Sequence, residues 1–184
     1  MGSEYMTDFD LIIVRHAEAV DSSYVTSDSE RQLTPRGERD ASGVGRVRRM
    51  LNLPLPNLVF TSGFERAEQT LERVFEGQVV SVIRDISFSP EGSVESAWRL
   101  VCAEVANRPA EKNTAVWIFG HNPNIERLIS FLTPDVGLVV KPYRKASLAW
   151  LKVSLKKELH PNVQLIAYIP RAVGNREKTA QLDL

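Results

Sequence analysis

One cysteine in 184 residues excludes an intrachain disulfide, and so sparse a thiol content fits a reducing compartment, so a cytoplasmic protein is expected. Histidine is nearly as scarce, with three residues: His16, His121 and His160. His160 precedes Pro161 in a polar stretch and reads as surface. The two that remain, without paired carboxylates at ligand spacing, argue against a metal site. The formal net charge is zero, so no global field draws nucleic acid or an anionic membrane. No run of 18 apolar residues occurs, so no membrane span is expected. The N-terminal stretch lacks a basic segment followed by an apolar one, so no secretory signal is read. Met6 stands where a myristoylation motif wants serine or threonine.

What is present is ordinary for one globular domain: 43% hydrophobic and 25% charged residues, enough chain to bury a sizeable core. Strand-like and helix-like segments alternate. That predicts an α/β fold, a three-layer sandwich with a mostly parallel central sheet and helices on both faces. Strands are expected near 10–15, 57–61, 79–84, 115–119, 146–154 and 163–169. Thr34 followed by Pro35 reads as the capped start of a first helix, with Val44, Val47 and Leu51 on its apolar stripe. Gly43 and Gly45 weaken that helix or permit close packing. Further helices are expected from about Gly63 to Phe75, from Val94 to Asn107, and from Pro123 under an Asn122 cap. Residues 1–9 read as an extension, 10–173 as a single domain and 174–184 as a polar tail. The connections look short throughout, with no insertion long enough to build a lid.

Three apolar runs break into chemistry-bearing residues. Leu11-Ile12-Ile13-Val14 runs into Arg15-His16. Leu58-Val59-Phe60-Thr61 is followed by Ser62 and Arg66. Ala115-Val116-Trp117-Ile118-Phe119 runs into Gly120-His121-Asn122-Pro123. In open α/β sheets ligands bind beyond the carboxyl ends of the strands. Two histidines and two arginines brought together there suit a phosphoryl group. The planar, permanently charged forks of Arg15 and Arg66 can hold its peripheral oxygens. A neutral imidazole, of His16 or His121, can attack phosphorus, and the other can donate a hydrogen bond to an oxygen. Amides at the helix opening by Asn122 add partial positive charge.

These residues fall in an order that resembles the histidine phosphatase superfamily, the phosphoglycerate-mutase-like proteins, and within it the small SixA-type phosphohistidine phosphatases. The likeness runs from about Leu11 to Leu132. It rests on Val14-Arg15-His16-Ala17, on Asp28-x-x-Arg31-x-Leu33-Thr34-x-x-Gly37, on Thr61-Ser62-x-x-x-Arg66-Ala67-x-x-Thr70, and on Gly120-His121-Asn122-Pro123. The resemblance implies that His16 is the nucleophile and becomes phosphorylated. Arg15, Arg66 and His121 would hold the phosphoryl oxygens, and water would then release phosphate with no metal or other cofactor. It further places Arg31 at the pocket mouth and Ser62 and Asn122 in the pocket. Ala17 replaces a glycine found in many members.

Larger members supply an acid that protonates an alkoxide leaving group. Here the candidates are Asp85, Glu91 and Glu95, and none stands in a matching motif. An imidazole leaving group, with a conjugate-acid pKa of roughly 6.5, needs such help less. The expected substrate is therefore a phosphorylated protein carrying phosphohistidine. Small phosphate esters are the enzymatic alternative, and a non-catalytic phosphate-binding module is the alternative of another class. The chain is expected to act as a monomer or weak homodimer. Cys102 and Arg108 have the spacing of a cysteine phosphatase, but Ala103 to Asn107 contains no glycine and reads as helix, so Cys102 is expected to be a buried helical residue. Arg46-Val47-Arg48-Arg49 reads as a solvated helix face.

Overall fold

The apolar runs alternate in the faces they serve, and this alternation builds the molecule. In the computed structural model, which describes residues 7–78, 81–108, 114–134, 143–155 and 161–171, six strands form one sheet. They are β1 (Thr7–Arg15), β2 (Leu58–Thr61), β3 (Val82–Arg84), β4 (Thr114–Gly120), β5 (Leu148–Leu155) and β6 (Asn162–Ile169). The order is β3-β2-β4-β1-β5-β6. The first four of these are mutually parallel, whereas β5 runs antiparallel to β1, and β6 to β5.

Four helices cover the sheet: α1 (Pro35–Met50), α2 (Glu65–Phe75), α3 (Val94–Ala106) and α4 (Asn124–Leu132). Ile12 and Val14 of β1, with Trp117 and Phe119 of β4, pack with Val44, Ala67, Leu71 and Val74 of α1 and α2. Leu11, Ile13, Val116 and Ile118 point the other way and pack with Trp98, Val101, Ile125 and Leu128 of α3 and α4. The period-two alternation of a strand buried on both faces thus divides one apolar run between two cores. Cys102 lies half-buried in α3 beside one of them, and burial pushes its thiol up to about 11.

Helix α1 begins as its sequence dictates: the Thr34 hydroxyl accepts from the Gly37 amide at 3.0 Å, and Pro35 fills the first helical position. Gly45 allows close packing, since a Cβ there would stand 2.8 Å from the Val74 carbonyl oxygen of α2. The basic cluster is the expected solvated face at Arg46 and Arg49, with Arg48 half-buried. The Arg48 guanidinium lies 5.6 Å from the Phe75 ring centroid and Arg49 pairs with Glu76.

Three expectations change. Strand β1 starts at Thr7, three residues before the expected 10–15 segment, because Thr7, Asp8 and Phe9 continue its pairing with β5. Asn122 does not cap α4. Pro123 occupies the cap position after a cis peptide, and the Asn122 amide bonds the Glu126 carboxylate at 2.6 Å and the Tyr143 carbonyl at 3.1 Å. Nor are all connections short. Residues 16–34 between β1 and α1 hold two 3-10 turns, Ser22–Tyr24 and Asp28–Glu30, and close on themselves through an Ala19–Leu33 bridge. Repeated serine and aspartate in this stretch favour local side-chain caps over helix, here Asp21 onto the Ser23 amide and Ser27 onto that of Ser29. His160, the expected 156–161 turn and the 174–184 tail fall largely or wholly outside the described residues.

Candidate active site

Strands β1 and β4 are adjacent and parallel, with Arg15 in register with Gly120, so the residues just beyond them emerge side by side. His16 and His121 are both buried, with ring centroids 4.9 Å apart. Arg66, in the first turn of α2, reaches the same place and is 3% exposed.

His16 is held in one tautomer. Its Nδ1 lies 2.7 Å from the Ala17 carbonyl, which can only accept, so Nδ1 carries the proton and Nε2 is bare. The Arg66 Nε–H points at that bare nitrogen from 3.4 Å. Burial first, then the neighbouring charges of His121, Arg66 and Arg15, hold the His16 pKa well below its ordinary value. His16 is therefore a neutral imidazole with its lone pair turned into the site. The backbone behind it is fixed by Thr70, whose hydroxyl accepts from the Ala17 amide at 3.0 Å and donates to the Arg66 carbonyl at 2.6 Å. One threonine thus ties the nucleophile loop to the arginine helix.

His121 is arranged differently. Its Nε2 lies 2.7 Å from the Ser62 hydroxyl, which accepts from the Phe64 amide at 3.1 Å, while its Nδ1 is buried with no partner among the described residues. Burial, with Arg66 next, lowers its pKa to about 3. Arg15 donates through Nη1 to the Tyr143 carbonyl, and its Nε is likewise buried and unpartnered among the described residues. Orphan buried polar groups are rare in folded proteins because each carries a desolvation penalty. Those of Arg15, next to His16 in the chain, and of His121, whose ring lies beside that of His16, are left able to bond a polar ligand.

No protein-family model and no curated protein matches the sequence. Solved structures do match. The putative phosphohistidine phosphatase SixA of Nakamurella multipartitia is 25% identical, with 88% of this chain and 95% of that chain covered at a TM-score of 0.71. The putative SixA of Agrobacterium tumefaciens is 18% identical, with 87% and 96% covered at 0.68. A protein histidine phosphatase SixA complexed with tungstate is 23% identical, with 84% and 94% covered at 0.66. The fold is that of the histidine phosphatase superfamily.

Within this histidine phosphatase fold the remaining candidates separate. Arg31 donates to the Val20 carbonyl at 2.7 Å and to Asp28 at 2.9 Å, and lines a cavity of about 510 Å³ with Glu18, Tyr24, Thr34 and Lys145. Asn122 donates to Glu126 and Tyr143, so its amide braces the site's far wall, and its Oδ1 is unpartnered among the described residues. Asp85 caps the 3-10 turn Ile86–Phe88 by accepting from the Ser87 amide, and hydrogen bonds from Ser87 hold its carboxyl below the usual range. Glu95 is exposed and bonds Ser93, and hydrogen bonds, its own amide's first, lower its pKa. Glu91 is exposed too, but its charge acts on Arg66.

Two contributors carry no role that the sequence alone assigns. Asp28, one residue of a matched motif, binds Arg66 twice: Nη1 donates to its main-chain carbonyl at 2.6 Å and Nη2 to its carboxylate at 2.8 Å. The segment 143–147 supplies the Tyr143 carbonyl to Arg15, and the Ala146 amide donates to the Arg15 and His16 carbonyls at 3.2 Å. The sequence signal for it is faint, a basic Arg144-Lys145 pair before an apolar strand. Gly37 of the same motif as Asp28 is explained by contact: a Cβ there would lie 1.9 Å from the Glu18 carbonyl oxygen.

Proposed function

We propose that this protein is a phosphatase working through a covalent phosphohistidine on His16, and that its substrate is phosphohistidine on a protein. The supporting observation is the state of His16: neutral, proton on Nδ1, and lone pair on Nε2 beside the Arg66 Nε–H. In the first step Nε2 attacks phosphorus, a new N–P bond forms and the bond to the leaving group breaks. Arg15, Arg66 and His121 receive the three peripheral oxygens, with the unpartnered Arg15 Nε and His121 Nδ1 as donors. For Nδ1 to donate, the Ser62 hydroxyl directs its hydrogen to Nε2 of His121. In the second step water attacks phosphorus, the His16 N–P bond breaks, phosphate departs, and the water proton leaves with phosphate or to solvent. Neither step requires a metal.

The leaving group decides between substrates. Asp85 and Glu95 are held ionised by local hydrogen bonds, which suits neither to act as an acid. A phosphoramidate nitrogen takes up its own proton before departing, so this site favours it over an alkoxide. The likeness to SixA-type proteins supports the same choice. One observation favours the second reading, small phosphate esters: the Glu91 charge interacts with Arg66 of the site.

The test is phosphate release from a phosphohistidine-bearing protein beside a panel of phosphate esters, for the native chain and His16→Ala. Release fastest from phosphohistidine and lost in the variant is the expected result. Preference for an ester, also lost in the variant, would keep the nucleophile and move the assignment to the second reading. Binding of phosphate without release from any substrate would make the protein a recognition module.

A further inference from the structure

We propose that Asp28 is the positioning residue of the phosphoryl clamp, holding the Arg66 guanidinium from its outer end so that its Nε edge faces the His16 Nε2. The proposal rests on the phosphatase reading and extends it to a residue outside the four that touch the phosphoryl group.

An arginine fork can present either its end, between Nη1 and Nη2, or a side that includes Nε. Both Nη atoms of Arg66 donate to Asp28, one to the carbonyl at 2.6 Å and one to the carboxylate at 2.8 Å. The end is therefore engaged, and the side with Nε is turned inward, 3.4 Å from His16 Nε2. Rotation of the fork would break both bonds to Asp28 at once.

Asp28 is itself fixed. Its Oδ1 accepts from Arg31 Nη1 at 2.9 Å while Oδ2 accepts from Arg66, and Arg31 is anchored in turn on the Val20 carbonyl at 2.7 Å. The loop that carries it is stitched to α2, where the Leu33 amide donates to Gln69 Oε1 at 2.7 Å, and closed on itself, where the Thr34 hydroxyl donates to Glu18 at 2.9 Å. Surface ion pairs contribute little, but this one is lopsided: the Asp28 side chain is 48% exposed and Arg66 only 3%. The buried partner gains orientation from it.

A charge argument supplies the test, because it points the opposite way. If Asp28 were only a negative charge near an anion site, removing it would tighten phosphate binding. If it positions Arg66, removing it loosens binding. Native protein, Asp28→Ala, Asp28→Asn and Arg31→Ala are titrated with inorganic phosphate, assayed with para-nitrophenyl phosphate, and followed by ¹⁵N NMR of the His16 ring. The expected result for Asp28→Ala is phosphate binding weaker by about tenfold and kcat/KM lower by about 100-fold, as for loss of a charge-assisted anchor. Asp28→Asn keeps an oxygen for Nη2 and falls between. Arg31→Ala leaves both Arg66 bonds in place and loses least. The groups facing His16 are His121, Arg66 and Arg15, all of which depress its titration. Asp28→Ala keeps the main-chain carbonyl for Nη1 but loses the carboxylate bond to Nη2, so Arg66 is loosened and His16 shifts upward.

Phosphate binding unchanged or tightened, with His16 titrating no higher than in the native chain, would overturn the proposal. Should Asp28→Ala fold poorly, the near-isosteric Asp28→Asn carries the same comparison. The NMR titration reads the Asp28–Arg66–His16 linkage without turnover. A native protein that releases phosphate from nothing, yet shows the His16 shift, would therefore sink the enzymatic reading and leave the linkage standing.

Discussion

The two sides of the pocket are built on opposite terms. On one side, around His16 and Arg66, the polar groups are engaged by protein: His16 with the Ala17 carbonyl, Arg66 with Asp28, and the Ala17 amide with Thr70. On the other, at His121 beyond β4 and Arg15 at the end of β1, nitrogens are left over, Nδ1 of His121 and Nε of Arg15. The first side has its geometry set before any ligand arrives. The second carries the desolvation penalty of unpartnered groups, which an oxyanion would relieve. Preorganisation of the attacking atom and readiness for the oxygens that receive charge are thus divided between two pairs of residues, His16 with Arg66 and His121 with Arg15.

The largest effect should come from breaking the engaged side at its nucleophile. His16→Asn keeps a polar side chain but cannot carry a phosphoryl group through this chemistry, so turnover should fall by about 10³-fold or more, read as loss of phosphate release with an unchanged circular dichroism spectrum. Breaking the ready side costs less: His121→Asn should lower kcat by about 100-fold, the scale for one donor to a developing oxyanion. Ser62→Ala sharpens the comparison, since it leaves His121 in place and removes the hydroxyl beside Nε2. A drop of about tenfold in kcat is expected, with little change on the His16 side.

A pH series reads the burial of the two neutral histidines as stability. A histidine buried neutral has a folded pKa below its unfolded value of about 6.5. Its contribution is complete above that value and is lost as pH falls, because the unfolded chain then binds more protons. For His121 the window runs from about 6.5 down to about 3. The urea midpoint should therefore fall on going from about pH 7 to about pH 5, and fall less in His121→Asn. A steeper fall in the variant would contradict the burial of a neutral ring. The smallest effect belongs to Cys102→Ser, for which kcat/KM should stay within about twofold, since the thiol lies in α3 with its pKa raised to about 11 and takes no part in the chemistry.

Much of this arrangement was legible because its residues act locally. Thr34-Pro35 announces the start of α1 through capping chemistry that needs only adjacent residues, and the structure has it there. The apolar runs predicted all six strands, each to within three residues at either end. His16, Arg66 and His121 converge because parallel strands all end at one edge of the sheet and release their next residues there. What escaped depends on partners far along the chain. Asp28 binds Arg66, 38 residues away, and the Tyr143 carbonyl binds Arg15, 128 away. Asn122 looked like a cap because its type suits one; a carboxylate at Glu126 and the Tyr143 carbonyl drew its amide away. The 16–34 connection looked short because turns built from side-chain caps leave no hydrophobic period to read.

The bridge between Ala19 and Leu33 gives that connection a stem and a tip. The stem is welded to α1 where Gly37 leaves no room for a side chain above Glu18. The tip, from Val20 to Gln32, is closed at its base by the Val20 amide on the Gln32 carbonyl at 2.9 Å and by Arg31 on the Val20 carbonyl at 2.7 Å. Such a piece behaves as a replaceable cassette. Its outer residues, among them the exposed Tyr24, can be exchanged to suit a new target while the tether at Asp28 keeps the machinery below in tune. An engineer retuning substrate preference would edit the cassette and leave its tether and its hinge alone.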